Sequence, residues 1–147
     1  MSGLKRYEEA LKSYDESLRL RPDYAEALCN KANTLSKLSR FDEALAVVDQ
    51  ALQIDSILAQ AHNTKGNILY ILDQIDLALS CFDESLVLRP QYALSCYGRG
   101  LCFMKLNRVE DAINEFKETL TLNSKHTDAS RELEIAMSIL KNQQPPV

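Results

Sequence analysis

The sequence predicts an all-α fold, a solenoid of stacked antiparallel helix pairs. Two observations carry the prediction. Ala10, Ala44, Ala78 and Ala112 stand 34 residues apart, and their surroundings recur in step. Tyr7, Phe41, Ile75 and Val109 lie three positions upstream of each alanine; Leu4, Leu38, Leu72 and Leu106 lie six upstream; Pro22, Ser56, Pro90 and Ser124 lie twelve downstream. Self-similarity at a fixed period of about 20–50 residues marks a stacked-repeat architecture. Within each period, apolar residues recur at three and four, as from Phe41 to Leu52, and no stretch sustains the alternation of a strand.

The elements follow in order. Residues 1–24 match only the second helix of a unit, helix B, with no helix A ahead of it. Leu11, Tyr14 and Leu18 on that helix are expected to lack part of their cover, which makes them candidates for self-association. Such a start reads either as a piece of a longer array or as an end that pairs with another copy. Complete units are expected at about 25–58, 59–92 and 93–126. In each, helix A carries Ala32, Gly66 or Gly100 opposite Ala44, Ala78 or Ala112 of helix B. Small residues let the pair approach closely; a larger side chain there costs ~1–3 kcal/mol. Leu28, Leu35, Val48 and Leu52 fill the first seam, Leu69, Phe82 and Leu86 the second, and Phe103, Phe116 and Leu120 the third. Ser17, Ala51, Ser85 and Thr119 form another small column, assigned to contact with the next unit's helix A. Pro22 and Pro90 end one helix or open the next. The acidic pairs Glu8 and Glu9, Asp42 and Glu43, and Glu110 and Asp111 open B helices, where the helix dipole explains them without catalysis. Residues 127–141 form a capping helix with the stripe Ala129, Leu133, Ala136, Met137 and Leu140 and polar residues elsewhere. The tail, 142–147, is expected to be disordered.

This pattern resembles the tetratricopeptide repeat, a helix–turn–helix of about 34 residues with the sketch W-x2-L-G-x2-Y…A-x3-F…P. Ala32, Leu35, Ala44, Val48 and Ser56 match it in one unit, Gly66, Leu69, Ala78, Phe82 and Pro90 in the next, and Gly100, Phe103, Ala112, Phe116 and Ser124 in the third. The chain departs from the sketch in two columns. Leu28, His62 and Cys96 replace the tryptophan, and Lys31, Lys65 and Arg99 replace the early leucine. The resemblance implies a right-handed superhelix whose concave wall is lined by A helices and takes extended peptides.

Composition narrows the function. The formal charge of the 147 residues is −4, with acids and bases interleaved, which argues against nucleic acid as partner. No segment offers the ~20 apolar residues of a membrane span. Cys29, Cys81, Cys96 and Cys102 form no C-x-x-C, and His62 and His126 lie far apart, so metal-ligand spacing is missing. The thiols read as reduced and intracellular, and the location as cytoplasmic. There is no phosphate loop or nucleophile elbow, so no enzyme and no cofactor is expected.

Mapped through the resemblance, the concave wall carries Asn30, Asn33 and Lys37, then Asn63, Thr64, Asn67 and Tyr70, then Tyr97 and Lys105. Asparagine is a mediocre helix former, and its amide both donates and accepts, so these residues suit a peptide backbone. Chaperone-binding relatives use a two-carboxylate clamp of lysine, asparagine and arginine. Its places here are Cys29 and Asn33, Thr64, and Leu94 and Gly98, of which only Asn33 agrees. The expected function is a non-catalytic protein-interaction scaffold without that clamp. The alternatives are a targeting domain of a larger protein or enzyme, and a module that self-assembles through its uncovered first helix.

Overall fold

The protein is described by a computed structural model covering residues 3–143. Among the described residues the elements are all helical: α1 (Gly3–Leu20), α2 (Ala25–Lys37), α3 (Phe41–Ile54), α4 (Ala59–Ile71), α5 (Ile75–Leu88), α6 (Ala93–Lys105), α7 (Val109–Leu122) and α8 (Thr127–Gln143). The pairs α2/α3, α4/α5 and α6/α7 are the tight ones. Each following helix packs on the pair before it, and α2 also touches α4, as α4 touches α6.

The small-residue column explains the closeness of the pairs. A Cβ on Gly66 would stand 2.8 Å from the Phe82 ring, and one on Gly100 would stand 2.6 Å from Phe116. Ala44, Ala78 and Ala112 are fully buried beside them, as is Val48. Ala51, Ser85 and Thr119 are also fully buried, as the second small column requires, while Ser17 is half-buried.

Each A helix ends in the same left-handed cap. Ser39, Asp73 and Asn107 adopt φ of 60, 61 and 59°. The next residue turns its N–H back to the carbonyl three places inside the helix end: Arg40 to Leu35 (2.9 Å), Gln74 to Leu69 (2.9 Å), and Arg108 to Phe103 (2.8 Å). These are paired 6→1 and 5→2 terminations, which satisfy orphan carbonyls and reverse the chain within a few residues.

The cations that replace the early leucine have a structural purpose that the sequence reading missed. Lys31 pairs with Asp15 (2.7 Å), Lys65 with Asp49 (2.8 Å), and Arg99 with Asp83 (3.2 Å). Both columns repeat every 34 residues, so each helix A is pinned to the preceding helix B. Partly exposed pairs of this kind contribute only ~0–1 kcal/mol, so their role is register more than stability. At the last interface the corresponding residues are Leu133 and Lys117, and the ladder stops.

The ends depart from expectation. Leu11 is buried, and Leu18 is half-buried and packs on the same first core cluster. The reason is that α2 covers that side of α1. The uncovered side carries Ala10 and Tyr14, which stay half-buried, whereas their counterparts Ala44 and Val48 are sealed by α2. In α8, Ala129 and Ala136 are buried as expected, but Met137 is half-exposed. It occupies the column of Leu35, Leu69 and Phe103, which face a helix B of their own unit. The helix also runs two residues past Lys141, so Asn142 and Gln143 are helical; residues 144–147 of the expected disordered tail lie outside the described residues.

Candidate functional site

The A helices place one residue per unit in the same outward row: Asn33, Asn67 and Leu101, continued by Ile135 on α8. Beside that row lies a cleft of about 560 Å³. It brings together Asn33, Lys37, Asn67, Tyr70 and Tyr97 of the expected residues. Ser36, Ile71 and Leu101 complete its walls, and Asp128 closes one end. Asp128 was not among the expected groove residues, because α8 was read as a cap. The signal lay in its column: Glu26, Gln60 and Leu94 hold the same place in earlier A helices.

The remaining expected residues lie elsewhere. Asn63 and Thr64 are buried, not presented to a ligand. Their columns turn toward the neighbouring A helices: Thr64 meets Cys29 of α2 at 3.3 Å, and Asn63 donates to Ser95 of α6 at 2.9 Å. Gly98, one of the clamp places, is buried against Phe82. Asn30 accepts a hydrogen bond from Gln60 (3.0 Å) across α2 and α4. Lys105 is exposed outside the cleft, its ammonium 5.9 Å from the Tyr70 ring centre, at the outer limit of a cation–π contact.

The cleft is graded in polarity. At the α2 and α4 end it offers two amides and the Lys37 ammonium; toward α6 it offers Tyr97 and Leu101. Tyr97 is stiffened by packing on Phe116 (5.9 Å) and His126 (4.6 Å). Burial, with the nearby Asp128 and Glu132 carboxylates adding to it, pushes the Tyr97 phenol up to about 12. Burial likewise raises the Tyr70 phenol. Both rings therefore remain neutral hydroxyl donors at physiological pH.

Under Asn67 runs a buried polar chain. Asn67 Nδ2 donates to Asn63 Oδ1 (3.3 Å), and Asn63 Nδ2 to Ser95 Oγ (2.9 Å). Ser95 Oγ lies 2.7 Å from Ser85 Oγ, which donates to the carbonyl of Ala59 (3.0 Å).

A second cleft, about 620 Å³, lies between α5, α6 and α7 and is lined by Asp83, Pro90, Cys96 and Arg99 among others. Burial pushes the Cys96 thiol up to about 11, away from the thiolate that a nucleophile needs. Arg99 is already engaged by Asp83 and by Glu115 at 2.8 Å. Ion pairing between helices accounts for Asp83 and Arg99 in this cleft. Among the described residues no group of three or more histidines, cysteines or acids is placed to hold a metal ion, and no helix is long and apolar enough to cross a membrane.

Three family models match the chain: a TPR repeat model over residues 4–39, and tetratricopeptide repeat models over 25–57 and 63–132. No curated protein sequence matches it. Similar solved structures include the first TPR of Spaghetti (RPAP3) bound to the HSP90 peptide SRMEEVD, at 21% identity over 80% of this chain and 93% of that one, TM-score 0.76. The first TPR domain of human RPAP3 matches at 21% identity over 84% and 99%, TM-score 0.75. MamA matches at 19% identity over 91% and 73%, TM-score 0.75. At these identities the likeness establishes the shared fold.

Proposed function

The chain belongs to the tetratricopeptide repeat family, a fold of protein-interaction scaffolds, and from that premise we propose that it binds an extended segment of a partner protein in the 560 Å³ cleft. The observation that carries this reading is the pairing of two in-phase asparagines, Asn33 and Asn67, with two neutral tyrosines on one wall. Amides read a peptide backbone, and the rings take side chains by stacking and hydrogen bonding. The polarity gradient matches a segment that is polar toward α2 and apolar toward α6. The function is non-catalytic, and the units are 25–58, 59–92 and 93–126.

The segment is not an acidic chaperone tail of the kind bound by the RPAP3 neighbour. Of the clamp places, Cys29, Thr64 and Gly98 are buried and none carries a cation, while Asp128 adds negative charge at the α8 end. Calorimetry with SRMEEVD tests this: no heat is expected at micromolar concentrations, and micromolar binding overturns it. A peptide screen with Asn33→Ala and Asn67→Ala tests the cleft itself; ligands indifferent to both changes refute it.

A second reading, self-association through α1, is favoured by one observation: Ala10 and Tyr14 are half-exposed where Ala44 and Val48 are fully buried. Sedimentation over a concentration range decides it, a strict monomer at high concentration ruling it out.

A further inference from the structure

The two in-phase asparagines of the cleft are not equivalent. A hydroxyl has one proton to donate. Ser85 gives its proton to the Ala59 carbonyl, which can only accept. The proton in the 2.7 Å contact between the serines therefore belongs to Ser95. Ser95 then receives from Asn63 Nδ2, and Asn63 Oδ1 receives from Asn67 Nδ2. Every link donates inward, and the direction is set by a carbonyl at the far end, so the assignment of Asn67 does not depend on its own density of contacts. Asn67 Oδ1 is left without a partner inside the protein, beside the second hydrogen of Nδ2, on a residue that lines the cleft.

The same arithmetic fails one unit earlier. The counterparts of Asn63, Ser95 and Ser85 are Cys29, Ala61 and Ala51, and the two alanines cannot continue a chain beneath Asn33. One unit later the counterparts are Tyr97, Ala129 and Thr119, and the row residue itself is Leu101.

We infer that Asn63, Ser95 and Ser85 are positioning residues that hold Asn67 as a fixed hydrogen-bond acceptor, onto which a backbone N–H of the bound segment docks. Asn33, with no such chain, is free to turn its amide either way. The docking step rests on the cleft being the peptide site; the orientation of Asn67 does not. Asn63, Ser95 and Ser85 are buried with their hydrogen bonds made, so turning the Asn67 amide would set its Oδ1 against Asn63 Oδ1 with no member free to turn and relieve it.

Two measurements test the inference, and they fail separately. The first needs no ligand. Asn67→Asp points a carboxylate oxygen at Asn63 Oδ1 and is expected to lower Tm by about 3 °C. Asn33→Asp is expected to leave Tm unchanged. In a Ser95→Ala background Asn63 can turn its NH2 toward position 67, and the loss from Asn67→Asp is expected to vanish. Equal losses at both positions, or an undiminished loss beside Ser95→Ala, overturn the fixed orientation.

The second measurement uses peptides of about twelve residues selected from a random library on the immobilised protein, then N-methylated one backbone position at a time. At one position the methyl group is expected to weaken binding to the wild type about tenfold. It is expected to do nothing further to Asn67→Leu. Peptides that Tyr70→Ala weakens, yet that show no N-methyl position coupled to Asn67, overturn the docking step and leave the cleft reading standing. Peptides indifferent to Tyr70→Ala, or no selected peptide at all, overturn the cleft reading and the docking step together, while the thermal comparison still decides the orientation.

Discussion

Gly98→Ala adds a methyl group where the edge of a buried ring already lies. The Cδ1, Cε1 and Cζ atoms of Phe82 sit in the notch between α4 and α6. A Cβ on Gly66 would stand 2.8 Å from that edge, and one on Gly98 would overlap it more severely. Carbon atoms in contact sit ~3.5–4.0 Å apart, so about 1 Å of relief is needed. Both walls of the notch are backbone, and the relief comes only by drawing Phe82 out, which moves α5 away from its neighbours. Overpacking of this kind costs ~1–3 kcal/mol, against a gain of ~1 kcal/mol from replacing a helical glycine by alanine. The net expectation is a loss of up to ~2 kcal/mol, or up to about 6 °C in Tm, read by circular dichroism melts and urea titration. In a Phe82→Leu background the notch has room, so Gly98→Ala is expected to become neutral or stabilising. A rise in Tm for the single variant, or an equal loss beside Phe82→Leu, would falsify the wedge.

Two further outcomes are expected. Ser39 holds φ of 60° at the end of α2, a conformation that costs an L residue ~1–2 kcal/mol, so Ser39→Gly is expected to raise stability by ~0.5–1 kcal/mol in urea titration, and a loss would show that its side chain matters more than its backbone. Burial pushes the Cys102 thiol from the ordinary 9.0 up to about 12. The unfolded chain loses that proton first on raising the pH, so the stabilisation is fully present below pH 9.0 and fades as the pH climbs toward about 12. Denaturation midpoints should therefore fall over that range, and Cys102→Ala should flatten the fall; an unchanged slope in the variant would show that other groups drive it.

The fold was legible because stacking writes itself into the chain at a fixed interval, and the columns of Ala44 and Ala51 each report one contact. The site was legible only in part. A helical wheel places Asn67 and Tyr70 relative to their own helix B, and both reached the cleft. It does not say how the next helix A leans across, and that contact is what buries Asn63 and Thr64. The pairing of Lys65 with Asp49 was in reach, since both columns repeat in phase. It was missed because the cations were compared with the leucine they replace and not with the acids sixteen residues earlier. Met137 was placed in the apolar stripe of α8 by periodicity, which cannot tell a helix that has a partner on that side from one that lacks it.

A wall built from identical units has a phase ambiguity: a strand laid along it fits equally well one repeat up or down, and every misregistered complex competes with the correct one. Among the described residues the polar chain that runs from Asn67 to the Ala59 carbonyl occurs once. With the change from Asn33 and Asn67 to Leu101 along the row, it breaks the translational symmetry of the array, and in the proposed complex it would serve as an origin mark against which a bound strand is counted.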